Sequence, residues 1–293
     1  MITTIFCVLD DFCKEFERSN KKYFVEMSGT KKRNRPTTLT ASEILTILVF
    51  FHHSKQRTFK SYYEIVIRRF YKDCFGKLVS YNRFLDLAQR YLLLLTVFAY
   101  AYKANEDCVF YIDSTVLRVC HNKRISQNKV FKNVAQRGRS SMGWFYGFKF
   151  HYVINTEGEI VRFLITPGNV SDQNHEVVGF LTKGLTGKLF GDKGYVSAPL
   201  FKKLFERGLQ IVTKIKRNMK NVLVDFTDKM LLRKRGVVES VGNLLKNSMQ
   251  MEHSRHRSAI GFFINVLAAV VAYNFLEKKP TIALKKKAIP SKS

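Results

Sequence analysis

The chain predicts a mixed α/β fold, a mixed sheet flanked by helices, preceded by an all-helical N-terminal region. Three observations lead there. Residues 1–105 read at helical spacing, a capping box opens their clearest apolar helix, and from residue 106 the pattern changes to short β-branched and aromatic runs separated by turn residues.

Thr40-Ala-Ser-Glu43 precedes Ile44-Leu-Thr-Ile-Leu-Val49, so Thr40 reads as the N-cap of a helix. Further helices are expected over Tyr62–Tyr71 and Tyr81–Tyr102. Lys31, Lys32, Arg33 and Arg35 form a basic run before the capped helix. Val109–Val119 reads as a strand. Tyr146–Ile154 alternates, with Phe148, Phe150, Tyr152 and Ile154 on one face, and Asn155-Thr-Glu-Gly158 turns it into Ile160–Thr166. A helix fits Asn174–Thr182, and a strand over Lys188–Phe190 ends at Gly191-Asp192. Ser197 caps a helix to Arg207, and Ile211–Ile215 is a fifth strand. After the basic stretch Lys216–Arg235 come a helix from about Val237 to Met249 and an apolar one near 260–276. Three meander strands followed by alternating helices and strands is the order of a ribonuclease H-like sheet. The expected organisation is a helical DNA-binding region over 1–105, a catalytic domain over 106–277 and a basic, disordered tail over 278–293.

Charge bounds the function. Fifty Lys and Arg stand against 23 Asp and Glu, a formal +27. An excess this large points to a polyanionic partner, with nucleic acid well ahead of a membrane surface. The five cysteines include no CxxC pair, which suggests free thiols in a reducing cytosol rather than a disulfide framework or zinc cluster. No basic n-region opens the chain, so no signal peptide is expected. The run Ile260–Leu276 contains Gly261, Asn265 and Asn274 and reads as a buried helix rather than a membrane span.

Three acids stand out. Asp113 interrupts an apolar strand, where an unpaired carboxylate costs several kcal/mol and so needs a cation or dense hydrogen bonding; Arg118 is one candidate partner. Asp192 follows a strand end, the edge where ligands gather in α/β sheets, although Asp-x-Gly is also ordinary turn chemistry. Glu239 is expected to share a helix face with Arg235 and Lys246, opposite Val238, Val241, Leu245 and Met249; a solvated salt bridge explains the Arg235–Glu239 spacing equally well. Between Asp113 and Glu157 the chain has no acid but eight Lys and Arg, among them Arg118, Lys123, Arg124, Arg137 and Arg139. Carboxylates that converge suit two hard Mg²⁺ ions, with Mn²⁺ as a substitute, and the surrounding cations, with Arg235, Lys246 and Lys193, suit DNA phosphates.

Tyr111-Ile-Asp113-Ser-Thr115, Gly191-Asp192-Lys-Gly-Tyr195 and Arg235-Gly-Val-Val-Glu239 resemble the three motifs of bacterial insertion-sequence DDE transposases. The signature Y-x2-R-x3-E-x6-K falls on Leu232, Arg235, Glu239 and Lys246, with leucine in the tyrosine's place. Leu117–Arg124, Met142–Lys149, Pro167–Val170 and Glu252–Ser258 are similar to the insertion-sequence 982 family in particular. The resemblance implies a ribonuclease H-like catalytic domain and dependence on Mg²⁺. It also implies recognition of terminal inverted repeats in double-stranded DNA, freeing of a 3′-hydroxyl that attacks target DNA, and a homodimer or higher homo-oligomer in the bacterial cytoplasm, on the nucleoid. The other readings are a structure-selective nuclease of the same fold and a silent DNA-binding relic.

Several residues near these motifs carry plainer expectations. His52 and His53 suit a structural role in an apolar helix, and Asp172 suits capping the following helix more than supporting a metal. Trp144 suits core packing more than stacking on a base. Ser80 reads as an N-cap, with Arg83 either solvated or on a recognition helix; His175 is a candidate for the metal site or a DNA phosphate, and the Arg255-His-Arg257 cluster for phosphate or a solvated helix start.

Overall fold

The computed structural model describes residues 1–27, 38–102, 104–105, 107–195, 197–214, 225–252 and 256–282, with backbone alone over 21–27. The expected basic run at 31–35 and residues 216–224 of the expected basic stretch lie outside the described residues. In chain order the helices are α1 (Ile2–Met27), α2 (Ala41–Phe51) and α3 (Phe59–Ser61), which runs into a π-helix (Tyr62–Phe70), then α4 (Tyr81–Arg90) and α5 (Leu92–Ala101). The strands β1 (Val109–Cys120), β2 (Gln136–Ser140), β3 (Gly143–Ile154) and β4 (Ile160–Pro167) come next. Then follow α6 (His175–Leu181), β5 (Gly187–Gly191), α7 (Ala198–Phe205), β6 (Leu209–Thr213), α8 (Phe226–Arg233), α9 (Gly236–Asn243) with a π-helical continuation (Leu244–Ser248), and α10 (Ala259–Asn274).

The chain forms two compact units. One comprises Met1–Tyr102, Arg118–Val134 and Leu244–Leu276; the other comprises Lys103–Leu117, Ala135–Asn243 and Glu277–Ser293. The first is thus not a simple N-terminal block. Its C-terminal helix α10 packs on α2, α4 and α5, and its buried face runs from Phe262 to Asn274. Helix α2 begins as the sequence indicates: the Thr40 hydroxyl accepts from the Glu43 backbone N–H at 3.2 Å, and the Thr40 N–H donates to the Glu43 carboxylate at 2.7 Å. The helix expected over Tyr81–Tyr102 breaks at Tyr91, and its halves bend by 57°. Among the described residues no single helix is long and apolar enough to cross a membrane. His52 is buried, its imidazole bonded to the Met249 carbonyl, and burial pushes its pKa down to about 3, in keeping with a structural histidine.

The second unit is built on a mixed sheet in the order β2-β3-β1-β5-β6, with β4 also paired to β3. The pairs β1–β5 and β5–β6 are parallel, while β2–β3 and β3–β4 are antiparallel. Ile112 of β1 and Val153 of β3 face a core with Val177, Val178 and Leu181 of α6 and Leu200 and Leu204 of α7. From the sheet's other face Tyr111 donates to the Leu231 carbonyl (3.2 Å) and Tyr152 to the Val238 carbonyl (2.7 Å), tying down α8 and α9. With helices on both faces, β3 is buried along nearly its whole length.

Four features differ from expectation. Strand β2, Gln-Arg-Gly-Arg-Ser, lacks any apolar alternation, and its exposed arginines mark an edge. Helix α8 lies inside the expected basic stretch. The single helix expected from Val237 is α-helical only to Asn243. The start of the expected disordered tail is ordered: the Ile282 N–H donates to the Thr156 carbonyl at 2.8 Å, and residues 283–293 lie outside the described residues.

The β2–β3 hairpin is seated by a close backbone approach, since a Cβ on Gly138 would lie 2.0 Å from the Gly168 carbonyl oxygen. Gly138→Ala is therefore expected to lower stability by roughly 1–3 kcal/mol. Gly179→Ala, in α6 with open space around it, should raise stability by up to about 1 kcal/mol. Thermal unfolding of the two variants checks both signs.

Candidate active site

Strand β1 carries Asp113 into the middle of the sheet. Its parallel pairing with β5 matches Val109 with Lys188, Phe110 with Leu189 and Tyr111 with Phe190. Two residues further on, the same register sets Asp113 level with Asp192, one residue past the end of β5. Neighbouring strands lie roughly 4.8 Å apart, so the register, carried past the end of the ladder, brings two positions distant in sequence to neighbouring places. Asp192 is exposed, and its carbonyl accepts from the backbone N–H of Tyr195, whose buried ring lies against Gly191. Lys193 beside it is exposed.

Glu239 arrives from the other direction. Val238, Val241 and Gly242 are buried, and the Tyr152 phenol on the Val238 carbonyl fixes the first turn of α9, which holds Glu239. A Cβ on Gly242 would lie 2.5 Å from that phenol oxygen, so the helix sits this close only because residue 242 has no side chain. Arg235, in the turn before α9, pairs with the Glu239 carboxylate. The salt-bridge reading of this spacing is thus what the structure contains, with Arg235 mostly buried and Glu239 half-exposed.

Asp113 is half-buried, and burial pushes its carboxyl up to about 6. The Ser114 backbone N–H and Arg235 act against that rise, and the neighbouring charges of Glu239 and Asp172 add to it. Asp172 is the acid that sequence reasoning misassigned. Asn174 caps α6, accepting from the backbone N–H groups of Glu176 and Val177. Asp172 instead turns toward the sheet and accepts from the Ser114 hydroxyl (2.9 Å) and the Lys149 ammonium (3.2 Å), with His151 Nδ1 at 3.7 Å. Burial lowers the His151 pKa to about 4, and its Nε2 meets the Thr166 hydroxyl at 2.9 Å. The signal was present in the alternation of β3: Lys149 and His151 occupy the positions between Phe148, Phe150 and Tyr152, and a strand covered on both faces leaves them no solvent.

Residues 103–259 match the family described as the transposase DDE domain, which covers more than half of the chain. The chain belongs to that family. No curated protein sequence matches it. Among solved structures it is similar to a piggyBac transposase, described as a synaptic complex with hairpin DNA, at 11% identity and TM-score 0.44 over 83% of this chain and 69% of that one.

DDE transposase domains use divalent metal ions, and the hard carboxylate oxygens of Asp113, Asp192 and Glu239 fit such ions. Among the described residues no three His, Cys, Asp or Glu side chains are grouped closely enough to hold an ion as they stand. Glu239 is turned to Arg235, and Asp192 lies open at the strand end.

The other expected site residues distribute as follows. Arg118, Lys123, Arg124 and Lys246 belong to the first unit. There Glu252 accepts from the Arg118 backbone N–H (2.9 Å) and pairs with Lys246 (3.0 Å), so Arg118 is not the partner of Asp113, and Glu252 is an organising acid that the motifs do not reveal. Lys123 and Arg124 are exposed on a short 3-10 turn. Since Lys246 lies in the π-helical segment, Arg235, Glu239 and Lys246 do not form one α-helical face. In the second unit Arg137 lies opposite the buried Tyr146 and Arg139 opposite the exposed Trp144, with both arginines exposed. Trp144 is 63% exposed, with the Arg139 guanidinium 6.0 Å from its ring centre, which overturns the core-packing expectation. Ser80 caps α4 and Arg83 is exposed; His175 meets the Ser197 hydroxyl at 3.3 Å, and Arg255 lies outside the described residues.

A carboxyl raised from 3.8 to about 6 favours the folded state below pH 3.8, and that contribution is lost as pH rises through about 6. In metal-free buffer, therefore, parent stability should decline across that window because of Asp113. Asp113→Asn should remove this component and melt higher than the parent at pH 7. Thermal melts of the two proteins from pH 4 to 7 check it.

Proposed function

We propose that the chain is a DNA transposase of the insertion-sequence type. It cleaves double-stranded DNA at terminal inverted repeats and joins the freed 3′-hydroxyl to target DNA, with Asp113, Asp192 and Glu239 as its metal-holding catalytic acids. The observation that carries this reading is the β1–β5 register, which sets Asp113 level with Asp192 while Glu239 lies within electrostatic range of Asp113. The motif stretches similar to the insertion-sequence 982 family support the finer assignment, and with it action by two or more copies on paired ends.

Mg²⁺, as two ions, or Mn²⁺ in its place, would when bound supply Lewis acidity to an in-line displacement at phosphorus. The residues of the chain do the rest. Asp113 and Asp192 hold one edge of the site from adjacent strands. Glu239, now paired with Arg235, would hold the metal in place of that partner, which would leave the Arg235 guanidinium to a non-bridging phosphate oxygen. Lys193, next to Asp192, meets the same backbone. Arg137 and Arg139 form an exposed pair that suits further phosphates; on the first unit Lys123, Arg124 and, beside Glu252, Arg118 and Lys246 are cations of the same chemistry.

A strand-transfer assay tests the reading. A pre-cleaved end with a free 3′-hydroxyl should be joined to plasmid in Mg²⁺, and Asp113→Asn, Asp192→Asn and Glu239→Gln should each abolish joining while duplex binding persists. Nicked plasmid without joined product would make the chain a nuclease; binding without any cutting would make it a relic. Trp144 is the chain's single tryptophan, so its emission should change on DNA addition and recover with salt. Arg137→Ala with Arg139→Ala should flatten the salt dependence of binding by about two phosphate contacts, read as the slope of log affinity against log salt.

A further inference from the structure

Behind the proposed catalytic acids lies a second polar assembly that the reaction does not use directly. Successive residues of a strand face opposite sides of its sheet. Tyr111 and Asp113 thus face α8 and α9, and Ile112 and Ser114 face α6 and α7, as their contacts bear out. Lys149 and His151 of β3 sit on the side opposite Tyr152, the same side as Val153, which joins that core. Asp172 gathers these groups. Its Oδ1 accepts from Ser114 and Lys149 and lies 3.7 Å from the fully buried His151.

The loop that delivers Asp172 is fixed at both ends. Gly168 is wedged where a Cβ would lie 2.7 Å from the Phe145 ring and 2.8 Å from the Gln136 carbonyl. Asn174 caps α6, and the Asn174 N–H donates to the Ser171 carbonyl at 3.1 Å. The place it grips is informative. Strand β5 ends at Gly191, so β1 outruns that neighbour at Asp113 and Ser114. Where the β1–β5 ladder stops, a carboxylate takes hold of the Ser114 hydroxyl instead. Lys149, with its side chain 11% exposed, pairs with that carboxylate and holds it in place, while part of the carboxylate's charge still reaches Asp113.

We infer that Asp172 is a positioning residue of the catalytic centre: held by Lys149, it fixes Ser114 from the back of the sheet and thereby sets the place of Asp113 on the front. This rests on the reading of Asp113 as a metal ligand.

The test is binding of Mn²⁺ alone, followed by calorimetry on the full chain, with thermal melts alongside. Groups that orient metal ligands typically account for 10–100-fold in affinity. Asp172→Ala and Ser114→Ala should each weaken Mn²⁺ by about tenfold, and the double variant should be no weaker than Asp172→Ala, because both remove one linkage. Asp172→Asn, which keeps an acceptor for Ser114 and is the milder change for folding, should weaken Mn²⁺ less than Asp172→Ala. If the variants melt lower but bind Mn²⁺ like the parent, Asp172 is merely structural and the inference falls. If Ser114→Ala is silent while Asp172→Ala abolishes binding, Asp172 is itself a ligand and the inference also falls. Failure of the underlying reading looks different: Asp113→Asn would then bind Mn²⁺ as the parent does, whatever happens at Asp172.

Discussion

The structure of the second unit depends on one constraint, a carboxylate carried into the middle of a sheet. Water solvates an ionised carboxyl far better than a layer of Phe, Tyr and Ile can, so Asp113 is uncomfortable by itself and its surroundings answer that discomfort. Arg235 approaches from the front, and the Ser114 N–H donates to it. Neither relieves it fully, because Glu239 and Asp172 add repulsion from two directions. A family of enzymes that works with divalent cations has reason to keep such a place under-compensated: a site already satisfied by its own protein would bind an ion weakly.

The elements that deliver these acids are fixed by ordinary packing. Parallel pairing of β1 with β5 sets the two aspartates level. A buried tyrosine on β3 and a glycine on α9 set how closely the glutamate's helix may approach. None of these contacts is chemical in purpose, yet each determines a coordinate of the site. Apolar residues at positions such as Val238 and Val241 therefore bear on the chemistry as directly as the charges do.

Much of this was legible in the sequence, and what was not has identifiable causes. The capping box at Thr40, the strands at 109, 146 and 160 and the helix near 260 follow from local periodicity, and the structure has them. Strand β2 was illegible because an edge strand of Gln, Arg, Gly and Ser carries no alternation to read. The break at Tyr91 and the π-helical turn after Asn243 are set by tertiary packing rather than by propensity. Asp172 was misread because Asp and Asn are near-equivalent caps at this spacing, and only the fold decides that Asn174 takes the role. Trp144 was misread because large aromatic residues in a strand usually point inward. The pairing of Lys149 with Asp172 needed knowledge that both faces of β3 are covered, which no single strand's pattern contains.

The segmental make-up of the helical unit has a consequence for how the chain is made. Helices α2, α4 and α5 leave the ribosome early, whereas α10, which packs on all three, is synthesised last, after every strand. Until then α2 has α1 beside it but the faces that meet α10 lack their native cover, and an exposed apolar face in a nascent chain invites association with others like it. The sheet waits less: its described strands are complete by Thr213, and α8 and α9, which cover its second face, follow by Asn243. The helical unit therefore gains its last cover only when α10 is made, and a chain shortened before α10 would leave part of the faces of α2, α4 and α5 without it.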